Sequence, residues 1–111
     1  MKSITIKRTD NKGDEQEYKL AFTPNVVRNM DRKGFTLMSV VEHPMDGIPE
    51  LFAGAFRAFC PTVDRNTANE IWEDMPDKEN LVKLLMEMYK EPIEAILGEP
   101  KEKNASWEVV E

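Results

Sequence analysis

The sequence predicts an α+β domain, mostly α. An N-terminal β-hairpin is followed by four to five helices packed around a central apolar helix at about residues 48–59. Three observations carry this expectation. Residues 3–8 and 16–22 alternate apolar and polar side chains with the period of two that marks a half-buried strand. Beyond residue 23 the apolar residues recur at helical spacing, punctuated by proline and glycine. The run from Ile48 to Phe59 places Ile48, Leu51, Phe52, Ala55, Phe56 and Phe59 on one helical face, and its other side carries Ala53, Gly54 and Ala58 with only Glu50 and Arg57 charged. A surface helix sets a charged face against its apolar stripe. A run that is apolar on one side and small on the other belongs in the middle of a bundle.

The elements follow in order. Ile4 and Ile6 pair in direction, as do Tyr18, Leu20 and Phe22, while residues 9–15 hold the turn-forming Asp10, Asn11, Gly13 and Asp14. This predicts a hairpin with a long turn, whose apolar face must lie on the helices because an isolated hairpin is marginal in water. Thr23 and Pro24 suit the N-cap and first position of a helix bearing Val26, Val27 and Met30, and Arg32, Lys33 and Gly34 suit its end, with Phe35 placed for a Schellman contact. Residues 36–42 fit either a short helix capped by Thr36 or a strand, and the helix is preferred. His43-Pro44 closes it, and Asp46-Gly47 leads into the central helix, which Pro61 ends. Thr67 and Glu70 read as a capping box, followed by the apolar face Ala68, Ile71, Trp72 and Met75, with Pro76 as stop. Asp77 then caps a helix from about Lys78 to Leu97. At 100° per residue its apolar side chains fill an arc of roughly 220°, about twice what one core contact requires. Glu91-Pro92 predicts a kink or break near Lys90.

Residues 1–98 thus make one globular domain and 99–111 a charged, mobile tail, in which Trp107 and Val109 alternate like a short strand. A tryptophan in a polar tail docks on something, and three places are open to it: this domain, a second copy, or a partner.

Composition excludes several functions. The net charge is −6 over 111 residues, and the basic residues are dispersed, so nucleic acid is not an expected partner. No apolar run approaches the ~20 residues of a membrane span, and the N-terminus lacks a signal-peptide core. The single Cys60 has no internal disulfide partner, which fits a cytosolic protein, and it reads as a structural thiol. His43 beside a proline reads as a solvated loop side chain. Glu87, Glu91 and Glu94 share a helix face but lack the Glu-x-x-His pairs of a di-iron site, and Glu73, Asp74 and Asp77 cluster at a helix end where capping accounts for Asp77. There is no phosphate loop, zinc spacing or serine elbow. A non-enzymatic protein without cofactor or metal is therefore expected, with apolar surface left for protein partners. Val82, Met86, Tyr89 and Ile93, on the surplus side of the last helix, together with Trp107, are the candidate surface for a partner or for self-association. Seven methionines suit an adaptable surface of this kind, and equally serve as filler in a helical core.

The segments Tyr18–Phe22, Gly34-Phe35, Pro49–Phe56, Glu70–Pro76, Met88–Ile96 and Trp107–Val110, in this order and spacing, resemble the tail assembly chaperones of long-tailed bacteriophages and prophages of Gram-positive bacteria. The match runs from about residue 16 to the end. The resemblance implies a mainly helical protein of the infected host cytoplasm that binds the tape-measure protein and keeps it soluble while tail-tube subunits assemble around it. It also implies a longer form made by ribosomal frameshifting and absence from the finished virion. It brings no catalytic or diagnostic binding residue. A structural virion component, such as a head–tail connector or tail terminator, and a small protein-binding regulator are the alternatives.

Overall fold

A computed structural model describes residues 2–10, 12–98 and 104–110. Residue 1, Asn11, residues 99–103 and Glu111 lie outside the described residues, so the expectation of a mobile tail is described only over 104–110. The fold is α+β and mostly α. Two antiparallel strands, β1 (Ser3–Thr9) and β2 (Glu15–Ala21), precede α1 (Pro24–Arg32), α2 (Leu37–Glu42), α3 (Pro44–Ala55), α4 (Arg65–Asp74) and α5 (Lys78–Leu97).

The hairpin register pairs Ile4 with Leu20 and Ile6 with Tyr18, which puts these four side chains on the face that meets the helices. The strands end at Thr9 and resume at Glu15, so the turn falls within the expected residues 9–15. The Asp10 amide donates to the Asp14 carbonyl at 2.9 Å and the Gly13 amide to the Asp10 carbonyl at 3.0 Å. The Asp10 carboxylate accepts the amides of Lys12 and Asp14, both at 2.9 Å. Gly13 takes a φ of 84°, a left-handed conformation that glycine adopts without strain.

Helix α1 begins and ends on local chemistry. The Thr23 hydroxyl accepts the Val26 amide, Pro24 occupies the first turn, and the Phe35 and Gly34 amides donate to Met30 and Asp31, both at 3.0 Å. With Gly34 at φ 93°, this is a complete Schellman stop. Residues 37–42 are helical with Thr36 as N-cap. His43 then serves as the cap of both α2 and α3, its carbonyl accepting the Asp46 and Gly47 amides.

The central helix is displaced from its expected span of about 48–59. It starts at Pro44 and ends at Ala55, after which Phe56 and Arg57 bond three residues back and the chain continues in turns to Cys60. Pro44 is pre-set for a first helical position. Gly47 is therefore no lead-in turn but a helical residue, and a Cβ there would lie 2.5 Å from the Ser39 carbonyl oxygen, so α2 rests directly on α3. Beyond the helix, Phe59 leaves the expected apolar face and lies on the outside of β2, with the Lys19 ammonium 4.3 Å from its ring. The Cys60 thiol donates to the Lys19 carbonyl at 3.7 Å, a structural use of the lone cysteine.

The start of α4 is also earlier than the capping box at Thr67 and Glu70 implied. Asp64 is the N-cap, accepting the Thr67 amide at 2.8 Å, because an aspartate three residues upstream of Thr67 reaches the same amide from an extended backbone. This bond, and then that of the Thr67 hydroxyl, holds the Asp64 carboxyl below its ordinary pKa. Asp77 stands at the start of α5 as expected, but in a left-handed conformation with no side-chain bond to a backbone amide; its carboxylate binds the Asn80 amide group instead. Helix α5 is continuous from Lys78 to Leu97 with Pro92 inside it, so the break expected near Lys90 does not occur.

One aromatic chain holds the core together. Tyr18 meets Phe56 edge-on at 5.7 Å, Phe56 meets Phe52 at 5.1 Å, and Phe52 meets Trp72 at 4.9 Å, linking hairpin, α3 and α4. Leu20, Leu51, Ile71, Leu85 and Met88 close around it, each fully buried and each contributing roughly 1.5–3 kcal/mol by its removal from water. Among the described residues no polar or charged residue is buried. Exposed ion pairs, Arg8 with Asp74 at 2.8 Å and Arg65 with Glu50 at 2.6 Å, span element ends and add little.

Candidate functional site

Helix α5 is the longest element, and its length creates the site. Its 20 residues extend about 30 Å, against about 14 Å for the 9 residues of α1 and about 18 Å for the 12 of α3, the two helices that pack on it. Neither can cover it from end to end. In the first three turns Leu81, Leu85 and Met88 face the core and Leu84 is 37% exposed, while the last two turns carry most of their apolar side chains into the open.

There α5 and α1 form two walls of a groove of about 540 Å³. Tyr89, Pro92, Ile93 and Ile96 line one wall, and Pro24, Val27, Arg28 and Asp31 the other, each set at the i, i+3, i+4, i+7 spacing of one helical face. Phe35, Thr36 and Leu37 close one end. The floor is rigid: Tyr89 packs edge-on to Phe22 at 5.3 Å and to Phe35 at 5.2 Å. Burial, and after it the Asp31 carboxylate, push the Tyr89 phenol above its ordinary pKa of 10. The rim is open, with Ile93 43% and Ile96 79% exposed. One turn on from Leu37 along α2 comes the exposed Val41, and Met38 and Met45 are exposed as well, Met45 by 88%. The methionines thus divide between core, as Met30 and Met88, and surface, as Met38 and Met45.

Of the five residues expected to form one partner surface, the structure separates the roles. Ile93 is a wall of the groove. Tyr89 is not on the surface at all: at 2% exposure it is core, because Phe22 from the hairpin and Phe35 from the Schellman turn both converge on it. A helical wheel counts one core contact and misses a second arriving from the side. Val82 and Met86 are half-buried against the same core. Trp107 is 87% exposed, and residues 104–110 form no strand. The α1 wall and Ile96 escaped the sequence reading. The signal for Ile96 was present in the apolar arc of α5, but that for α1 was not, since its contact with α5 spans more than fifty residues of sequence.

A second cleft of about 560 Å³ lies between α1, α2 and α3, and its Lys33, Asp46, Glu50, Arg57 and Arg65 give it a mixed charged lining. Glu50 is taken up by Arg65, and Arg57 donates to the Val63 carbonyl at 2.8 Å, which makes this cleft a joint between elements. The Glu87 and Glu91 carboxylates contact Lys2, at 3.7 Å from its ammonium and 3.3 Å from its amide respectively. Among the described residues no three acidic, histidine or cysteine side chains stand close enough to hold a metal, and no helix is long and apolar enough to cross a membrane.

A protein-family model described as "Domain of unknown function (DUF5055)" matches residues 1–110, and the chain belongs to that family. Neither the curated proteins nor the solved structures compared with it gave a match.

Proposed function

We propose that this DUF5055 chain is a non-enzymatic tail assembly chaperone of a long-tailed bacteriophage or prophage, acting in the host cytoplasm. Its α1–α5 groove takes an apolar helical face of the tape-measure protein and keeps that protein soluble while tail-tube subunits assemble. The observation that carries this reading is the open apolar groove itself, with Ile93 and Ile96 on its rim and a rigid aromatic floor. A groove between two helices accepts an amphipathic third helix through anchors one turn apart. Exposed Met38 and Met45 add adaptable surface, which suits a partner gripped at many similar places. The sequence resemblance supplies the identity of the partner.

Co-expression with a tape-measure protein of a long-tailed phage or prophage tests the proposal. The expected result is a soluble complex that Ile96→Glu abolishes while the variant remains folded. A tape-measure protein that stays insoluble with this chain present overturns the reading. Detection of the chain at structural copy number in purified virions does the same, in favour of a head–tail connector or tail terminator.

A further inference from the structure

Strand β1 has a free edge, and the bonding pattern of the hairpin shows which backbone groups lie on it. The Asp10 amide donates to the Asp14 carbonyl, and the register steps back from that pair to Arg8 with Gln16, Ile6 with Tyr18 and Ile4 with Leu20. Opposed residues of an antiparallel ladder alternate between bonded and non-bonded pairs. The residues in between on β1, Ser3, Thr5, Lys7 and Thr9, therefore aim their amides and carbonyls away from β2. On β2 the same reasoning turns the Lys19 carbonyl outward, and there the Cys60 thiol binds it. The four outward residues of β1 have no such partner: among the described residues nothing hydrogen-bonds their outward amides and carbonyls, and their side chains are exposed. Nor is the edge blunted. Native edge strands are kept short, broken by a bulge or proline, or covered by another element. β1 runs for 7 residues without proline and keeps an unbroken register from Ser3 to Thr9. Among the described residues β2 is the only element that packs along it at length. Its one outward charge, Lys7, already faces Glu17 across the hairpin.

We propose that β1 pairs antiparallel with β1 of a second copy, about a two-fold axis at Ile6, so that two hairpins join into one four-stranded sheet. The strand's own sequence selects this occupant and this register. Outward groups can meet outward groups only if odd-numbered residues face odd-numbered ones. Centring the pair on Ile6 then overlaps the whole strand from Ser3 to Thr9. Ser3 faces Thr9 of the second copy and Thr5 faces Lys7, which satisfies every outward amide and carbonyl. On the inner face Ile6 meets its own counterpart, so Tyr18 and Ile6 of both copies form one apolar row. Ile4, half-buried in the single chain, lies beside the aliphatic stem of Arg8. One step past the strand's ends Lys2 comes opposite Asp10 of the second copy, twice by symmetry, and no like charges stand opposite one another. That match offsets the mutual repulsion of two chains of net charge −6. A two-fold contact of this kind closes at the dimer. The edge shares no residue with the α1–α5 groove, so the proposal stands apart from the chaperone reading.

A strand of 7 residues makes a small interface, in the class of weak complexes, so a dissociation constant of about 10–100 μM is expected. Sedimentation velocity of the full chain between about 2 and 500 μM should show monomer passing into dimer. Thr5→Pro should abolish the dimer with circular dichroism unchanged, because it removes an outward amide and no bond of the hairpin ladder. Glu17→Pro makes the same change on the outward side of β2 and should leave the dimer intact, which controls for any loosening of the hairpin. Amide exchange followed by NMR is the second readout. The Thr5 and Lys7 amides should exchange more slowly as concentration rises, and the Glu17 amide should not. If Thr5→Pro unfolds the hairpin, the exchange of the parent chain decides. A chain that stays monomeric at the highest concentration overturns the proposal and leaves the edge to a strand of another protein. So does a dimer that survives Thr5→Pro or is lost equally with Glu17→Pro, because the contact then lies elsewhere or needs only an intact hairpin.

Discussion

The two halves of α5 are nearly equal in apolar content and opposite in fate. From Leu81 to Tyr89 the helix buries Leu85, Met88 and Tyr89 and opens only Leu84, by 37%, whereas Ile93, Ile96 and Leu97 lie progressively in the open, Leu97 by 92%. Nothing in the side chains distinguishes the halves. The difference is how closely the neighbours approach: along the second half α1 stands across an open groove from Tyr89, Pro92, Ile93 and Ile96. Apolar surface on a helix becomes core or binding face according to what else reaches it, and the same residue types serve both. If that is right, substitutions in the sealed half act on folding and substitutions in the open half on binding.

The largest effect is expected at Phe56, fully buried and in edge contact with both Tyr18 and Phe52. Phe56→Ala should lower the unfolding free energy by about 3–5 kcal/mol, measured by urea denaturation. A loss under about 1 kcal/mol would mean that the aromatic chain does not hold the sealed half together. Gly47→Ala comes next. Its Cβ would meet the Ser39 carbonyl at 2.5 Å and the Val40 Cα at 2.7 Å, backbone that cannot turn aside, so a loss of about 1–3 kcal/mol is expected. The companion Gly54→Ala meets only the flexible end of Met30, at 2.5 Å from its sulfur, and alanine's helix preference of about 1 kcal/mol offsets the crowding. The two glycines should therefore separate clearly in thermal melts, and equal losses would break the distinction between backbone and side-chain contact.

Asp64→Ala should lower the melting temperature modestly at neutral pH by removing the α4 cap. The folded pKa of Asp64 lies below its ordinary 3.8, so the ionised cap stabilises fully above that value, and its contribution is lost as pH falls through the folded pKa. The gap between variant and parent should accordingly close on acidification. A gap that persists in strong acid would show that the carboxylate's charge is not what caps the helix. The smallest effect on stability belongs to the open half: Ile96→Glu should stay within about 0.5 kcal/mol of the parent while losing the partner. A large destabilisation there would turn the groove wall into core and erase the contrast between the halves.

What the sequence determined alone is whatever rests on short-range chemistry. The α1 boundaries follow from Thr23, Pro24 and Gly34, whose capping bonds involve neighbours within five residues. The hairpin register follows from alternation, since slipping by one residue would turn Ile6 and Leu20 to water. The extent of α5 and the helix at 37–42 were legible for the same reason. Choices between equally good local signals were not. Thr67 looked like a cap until Asp64 was seen to hold its amide, and Gly47 looked like a turn until α2 was seen resting on it.

Only the tertiary structure decided which apolar residues are site and which are core. Tyr89 carries no local mark that separates it from Ile93. It is buried because Phe22 and Phe35, more than fifty residues away in sequence, converge on it, whereas Ile93 faces the open groove between α5 and α1. Burial is a property of the partners that reach a side chain, and their lengths and angles are set by packing across the whole chain.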